Sequence, residues 1–203
     1  MTHVQTFIHD PASYVHRSRL DDTLTAQLMP SLLDCRRSKR RLSDHVAATS
    51  GLEAVDYGCF ESEPYRLALA SSEVLTALMK YIGLAFASSH LTQVIHRDEV
   101  KAWKQATGQE GYEFAIKRAP LLVGASQDTV NRPTEIEPAG KRWLCKCLSG
   151  APRGVIQRLR LKFSPETTLT VHANVSPDAA TAFSLAKRLL VRELNPELSQ
   201  CLF

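Results

Sequence analysis

The sequence lacks the short motifs by which most enzymes and metalloproteins are recognised. It contains no GxGxxG, GxxxxGK[ST] or GxSxG stretch, so the common phosphate-binding loops and the nucleophile turn are absent. None of its seven histidines forms HExxH or stands four residues from another, so ligand spacing gives no support for zinc or iron. We therefore expect no catalytic residues, no metal and no cofactor.

Cysteine pairs and long apolar runs are also missing. The five cysteines include one close pair, Cys145-x-Cys147, which is neither a redox CxxC motif nor a usual zinc half-site. No run approaches the roughly 18 apolar residues needed to cross a bilayer. The first residues lack the basic and apolar regions of a secretory signal. We expect buried free thiols in a soluble, cytoplasmic protein with no membrane span.

Charge is nearly balanced, with one local exception. The formal net charge is +4 and the isoelectric point is near 8.9, whereas a dedicated DNA-binding protein is usually more basic. The exception is RRSKRR at 36–41, whose cations would cover more than half of a helix and leave Cys35 and Leu42 for the core. We expect a solvated helix face, one that could meet an acidic protein partner. The candidate partner-binding residues are Arg36, Arg37, Lys39, Arg40 and Arg41.

Phosphate binding by the same basic run is the alternative. It would make the protein a basic helical nucleic-acid-binding module, with an affinity that falls steeply as salt rises. No stacking aromatic is interleaved with the cations, and no base-reading motif accompanies them. For this reason, nucleic acid is not the expected partner.

Helical periodicity dominates the chain and predicts a mainly α fold, a single compact helical domain. The strongest helix lies between 73 and 89, where only Glu73 and Lys80 carry charge, so we expect it at the centre of the core. Its apolar residues recur at the spacing of a buried face: Val74, Leu75, Leu78, Met79, Ile82 and Phe86. We expect one domain over 1–203, with an N-terminal section 1–123, a long connection 124–138 and a C-terminal section 139–203.

One segment, 155–173, breaks this helical pattern. Leu159, Leu161 and Phe163 alternate with cations, and a second alternation follows after the sequence SPET. A period of two is typical of strands, so this segment predicts one small β-hairpin.

The opening segment FIHDPASYVHRSRL, residues 7–20, is rich in groups that could serve acid–base chemistry. Asp10 followed by Pro11 also predicts an N-cap and the first position of a short helix. A hypothetical enzyme could combine Tyr14, His16 and an acid from 124–138, but no residues elsewhere complete a catalytic triad. We therefore interpret the segment as architecture.

The same segment resembles the N-terminal signature of the K-component family of bacterial type III secretion sorting platforms. A second stretch, RPTEIEP at 132–138, is similar to a segment of some family members and contributes Pro133 and Glu135. The signature positions in the opening segment are Phe7, Asp10, Pro11, Tyr14, His16 and Leu20.

The resemblance implies a function. Members of this family are cytoplasmic, non-enzymatic adaptors of the injectisome, peripheral to its inner-membrane base. They link the cytoplasmic domain of the inner-membrane ring protein to the pod protein of the sorting platform. The resemblance transfers no catalytic residue, and we expect the signature residues to be structural.

Overall fold

The computed structural model describes residues 3–20, 35–123 and 129–194. Across these ranges the chain forms α-helices joined by short 3-10 turns and contains no β-strand, which confirms the mainly α fold class. The α-helices are α1 (His3–His9), α2 (Arg36–Thr49), α3 (Glu63–Arg66), α4 (Ser72–Leu91), α5 (Arg97–Lys117), α6 (Ile136–Cys147), α7 (Arg153–Leu161) and α8 (Ala179–Leu189).

The chain divides into two compact units, each assembled from both halves of the sequence. The first unit contains α1, α2, α3 and α7, within the ranges 1–72 and 148–175. The second contains α4, α5, α6 and α8, within 73–147 and 176–201. These units do not coincide with the sections expected from the sequence, 1–123 and 139–203. The single-domain organisation over 1–203 stays a prediction.

The core of the first unit forms where the opening segment meets α2 and the end of α7. Phe7 is buried beside it and makes an edge contact with Phe60, with ring centroids 5.8 Å apart. The buried members of the core cluster are Ala12, Leu20, Leu42, Val46 and Leu161. Tyr14, Val15 and Leu52 pack against its rim.

The β-hairpin expected at 155–173 is wrong, because Arg153–Leu161 form α7 and no strand follows. The alternation of cations with apolar residues led to this wrong prediction, because it has the period of two that is typical of a strand. A strand would expose Arg158 and Lys162, but both side chains are buried, at 6% and 3% exposed. Arg158 lies with Val155 and Leu159 on the inner face of α7, and Lys162, the residue that caps the C-terminus of this helix, continues the same spacing.

The second unit is organised around α4 and α6, whose backbones approach closely at two glycines. A Cβ on Gly83 would overlap the carbonyl of Ile136, and one on Gly140 would overlap the carbonyl of Met79. A ring contact follows one turn further along each helix, where Phe86 and Trp143 lie with centroids 4.8 Å apart. Only glycine permits this approach of the two helices.

Helix α4 is the expected core helix of this unit. Leu75, Leu78 and Ile82 are fully buried. In the portion of the chain that the structure describes, α4 alone is long and apolar enough to cross a membrane by length and composition, and 61% of its apolar window is buried. The core helix of a soluble protein passes the same test, so this finding is weak evidence for a span.

Helix α5 bends at Gly108, which has a positive φ of 80°. The helical segments before and after this glycine join across a kink that glycine adopts without steric cost. The kink leaves Trp103 before it and Phe114 after it buried in the second unit.

Candidate partner-binding surface

Helix α2 carries the basic run and is anchored in the first unit by its inner face. Leu42 and Val46 enter the core cluster, and Ser43 between them is also buried. Positions 39, 42, 43 and 46 therefore face inward, since residues three and four apart share one face of a helix. This anchoring fixes which cations of the run point to solvent.

The outer face of α2 presents Arg37, Arg40 and Arg41, all of them exposed. We call these three residues the cationic face. Among the ion pairs of the described ranges, none involves these three arginines. One exposed carboxylate, that of Asp44, lies on the same side of the helix, one turn beyond Arg40.

The other two candidates from the basic run differ. Lys39 lies at the inner edge of α2, and its Nζ is 3.0 Å from Oδ2 of Asp10. Its charge is therefore engaged within the protein. Arg36 begins α2, but its side chain lies outside the described portions of the structure.

Asp10 connects the opening segment to α2. Its Oδ1 accepts a hydrogen bond of 2.8 Å from the buried Ser43 hydroxyl, while its Oδ2 pairs with Lys39. The backbone N–H of Ala12 donates to the same Ser43 oxygen at 3.3 Å. The N-cap predicted for Asp10 is wrong in detail: a 3-10 turn, Pro11–Ser13, does follow, but the carboxylate makes no cap hydrogen bond. Its oxygens bind α2 instead.

Phe7 and Tyr14 form an aromatic pair beside a buried lysine. Their rings stack with centroids 5.5 Å apart, and the Tyr14 hydroxyl donates to the Phe7 carbonyl at 2.7 Å. The Nζ of Lys162 lies 5.0 Å and 5.2 Å from the two ring centroids and donates to the carbonyls of Ala68 and Ala70 at 2.7 and 2.5 Å. Burial raises the pKa of Tyr14 far above its usual value, so the phenol stays neutral.

His16 and Leu20 complete the opening signature on the α7 side. The backbone N–H of His16 donates to the Leu161 carbonyl at 2.7 Å, and Leu20 is buried. The His16 ring accepts a hydrogen bond from the backbone N–H of Ser18. By this bond His16 caps the 3-10 turn Arg17–Arg19. The opening segment thus contacts α2, α7, the 3-10 turn Tyr57–Glu61 and its own turns.

The second signature stretch starts α6. Pro133 occupies the first turn of the 3-10 segment Pro133–Glu135. Oε2 of Glu135 accepts from the backbone N–H groups of Asn131 and Arg132 at 3.0 and 3.3 Å. The structure therefore places both residues at a helix start, where Pro133 lies in the first turn and the Glu135 carboxylate satisfies two backbone donors.

Sequence reasoning missed two interior cations, Arg158 within α7 and Lys162 at the C-terminal cap of this helix. Arg158 donates to the carbonyls of Glu53 and Gly154 at 2.6 and 3.1 Å, and burial lowers its pKa. Its Nε has no hydrogen-bond partner among the described residues. The signal that could have found these cations is their spacing of four residues on the apolar stripe of Val155 and Leu159.

Comparison with known proteins identifies a solved structure with the same fold. The fold is that of a solved structure described as "Structure of the cytoplasmic domain of the T3SS sorting platform protein PscK from P. aeruginosa". The TM-score is 0.59 at 19% identity, over 97% of this chain and 96% of that one. No curated protein sequence matches the chain.

The family follows from the sequence itself. Residues 1–202 match the model of the family described as "YOP proteins translocation protein K (YscK)", and the chain belongs to this family. This confirms the K-component family of type III secretion that the two signature stretches predicted.

Proposed function

We propose that this protein is a non-enzymatic, cytoplasmic adaptor of the type III secretion sorting platform, peripheral to the inner-membrane base of the injectisome. It links the cytoplasmic domain of the inner-membrane ring protein to the pod protein. The observation that carries the proposal is the family match over residues 1–202, which spans both units of the structure. The likeness to PscK, whose solved structure is that of a cytoplasmic domain, supports the cytoplasmic location.

The internal contacts of the signature residues support binding rather than catalysis. The phenol of Tyr14 is bound to the Phe7 carbonyl, and its raised pKa removes it as a base near neutral pH. The Glu135 carboxylate is bound to the backbone of its own turn. The groups that a hypothetical active site would use therefore hold the chain in place.

A second candidate function is the basic nucleic-acid-binding module. The exposure of Arg37, Arg40 and Arg41 on one face favours it, because phosphate contacts come mostly from such side chains. The adaptor remains the better supported function, since it alone accounts for the family match.

Co-purification tests the proposal. The full chain is co-expressed, in separate pairs, with the cytoplasmic domain of the ring protein and with the pod protein from the same bacterium, and each pair is isolated at two salt concentrations. We expect both partners to stay bound at about 0.5 M salt, because interfaces with an apolar centre are screened less than exposed charges. Failure to recover either partner, together with DNA binding that disappears as salt rises, would establish the second candidate.

A further inference from the structure

We propose that the cationic face of α2, Arg37, Arg40 and Arg41, binds an acidic protein segment, and that Lys39 orients this face without joining the contact. The inference rests on the proposed function, in which the protein works by binding other proteins. It divides the basic run into two groups with different tasks. The contacts of α2 with the rest of the first unit carry the argument.

The inner contacts set the rotation of α2 about its axis. Leu42 and Val46 are held in the core, while Ser43 and Lys39 both bind the Asp10 carboxylate. The carboxylate neutralises Lys39 within the protein. Any rotation of the helix that moved Lys39 and Ser43 away from Asp10 would break these contacts and withdraw Leu42 and Val46 from the core, so the cationic face keeps one orientation.

The spacing of the three exposed arginines indicates which chemical groups a ligand must carry. Arg37 and Arg41 are one turn apart, about 6 Å along the helix axis, and Arg40 lies between them. Guanidinium groups bind carboxylates through two parallel hydrogen bonds, which favours arginine over lysine at such contacts. A partner helix with carboxylates one turn apart matches this spacing.

Two features favour a protein over a nucleic acid. Asp44 lies on the same side of α2 and would face the continuous negative charge of a phosphate backbone. A protein segment can place its carboxylates opposite the arginines and a neutral or basic residue opposite Asp44. The sequence of α2 also contains no Phe, Tyr or Trp on which bases could stack.

The test compares two triple variants with the same change in net charge. The first, Arg37→Glu/Arg40→Glu/Arg41→Glu, reverses the cationic face. The control reverses three exposed cations of the second unit: Arg97→Glu, Lys101→Glu and Arg142→Glu. Thermal melting of both variants shows that they are folded.

The probe is a fluorescent, alanine-based helical peptide with glutamates one turn apart, measured by anisotropy. A matched peptide with glutamine in their place and a short DNA duplex serve as competitors. We expect the first variant to lower the peptide affinity about tenfold or more, as three lost and reversed charge contacts imply. The control variant should keep the wild-type affinity, and about 1 M salt should abolish binding.

Two variants with one substitution each, Lys39→Gln and Arg40→Gln, test the separate role of Lys39. Lys39→Gln should lower the melting temperature slightly and change the peptide affinity less than twofold, whereas Arg40→Gln should lower the affinity and leave melting unchanged. The proposal is overturned if the peptide does not bind the wild-type chain, if the reversed face retains wild-type affinity, or if the DNA duplex displaces the peptide while the glutamine peptide does not.

Failure of the proposed function has a different signature. If neither the ring protein nor the pod protein co-purifies with the wild-type chain, the adaptor proposal fails, although the peptide measurement still tests the cationic face. If both partners bind the wild type and the reversed variant equally, the adaptor proposal stands and the cationic face is not the contact.

Discussion

Lys162→Met removes the buried ammonium from the first unit while keeping most of the side-chain volume. In the native protein this ammonium donates to the carbonyls of Ala68 and Ala70 and lies over the rings of Phe7 and Tyr14. The methionine side chain can pack against both rings, but it offers no donor. Two carbonyls therefore lose a partner in a region where Lys162 is only 3% exposed.

The size of the effect follows from these contacts. A hydrogen bond to a charged group contributes about 1.5–3 kcal/mol net, with dehydration included. The two bonds end on a single ammonium and are lost together, and the contributions of contacts that share a group do not simply add, so we take about 3 kcal/mol for the pair rather than about 6. The cation–π contact adds about 1 kcal/mol, and the methionine–ring contacts recover part of it. We expect a loss of about 3 kcal/mol in the free energy of unfolding.

Chemical denaturation followed by circular dichroism measures this loss, and thermal melting should show a decrease of roughly 6–12 °C for a protein of this size. The matched control is Lys101→Met on the exposed surface of α5, which should change the free energy of unfolding by less than about 0.5 kcal/mol. If Lys162→Met is as stable as the control, the ammonium does not hold the 68–70 segment and the reasoning fails.

Three further predictions concern the opening segment, the crossing of α4 and α6, and the cysteines. Asp10→Ala should lower the free energy of unfolding by about 1 kcal/mol, chiefly through the bond to buried Ser43, and Asp44→Ala is its exposed control; unchanged denaturation would contradict this. Gly140→Ala should cost about 2–3 kcal/mol, because its Cβ meets backbone, and an equally stable variant would mean that the helices separate freely. Cys35 should react with a thiol reagent well before Cys147: the Ser38 hydroxyl lowers the pKa of Cys35, whereas burial raises that of Cys147 to about 12. Peptide mapping by mass spectrometry would show equal labelling if this were wrong.

Some of the structure could be predicted from the sequence because the signal was local. Helix α4 has an apolar stripe, and between 73 and 89 only Glu73 and Lys80, both off the stripe, carry charge; this pattern requires no knowledge of its neighbours. The family was predicted from the opening segment and from Pro133 and Glu135, whose residue types and order are short-range features. The family model confirms it over nearly the whole chain.

The hairpin was mispredicted because pattern reasoning assigns lysine and arginine to solvent. Arg158 and Lys162 are interior, and their acceptors include the carbonyls of Glu53, Ala68 and Ala70, more than 90 residues away in the sequence. No residue close to Arg158 or Lys162 in the sequence indicates that these distant carbonyls accept their hydrogen bonds. An arginine or lysine with a long apolar stem can join a buried stripe when carbonyl oxygens are placed at its end.

Contacts with residues distant in the sequence also decided the roles of the cations in the basic run, and local pattern reasoning could not predict them. Its five cations were equivalent in the sequence, and the structure separates Lys39 from Arg37, Arg40 and Arg41. The separation depends on Asp10, whose Oδ1 binds Ser43 across 33 positions of sequence. Asp10–Pro11 correctly predicted that a turn begins there, but local reasoning assigned the carboxylate to that turn.

These contacts also bear on where a partner binds. The signature residues of the opening segment bind other regions of their own unit, as Phe7, Asp10 and Tyr14 show. A family signature of this kind identifies the fold, and it leaves the choice of partner to residues outside the signature. In the first unit we propose the cationic face as such a set: it is exposed, it lies on the helix whose inner side binds Asp10, and it is absent from the signature. Partner specificity within the family should therefore vary with the outer residues of α2, while the inner residues of the same helix stay tied to the fold.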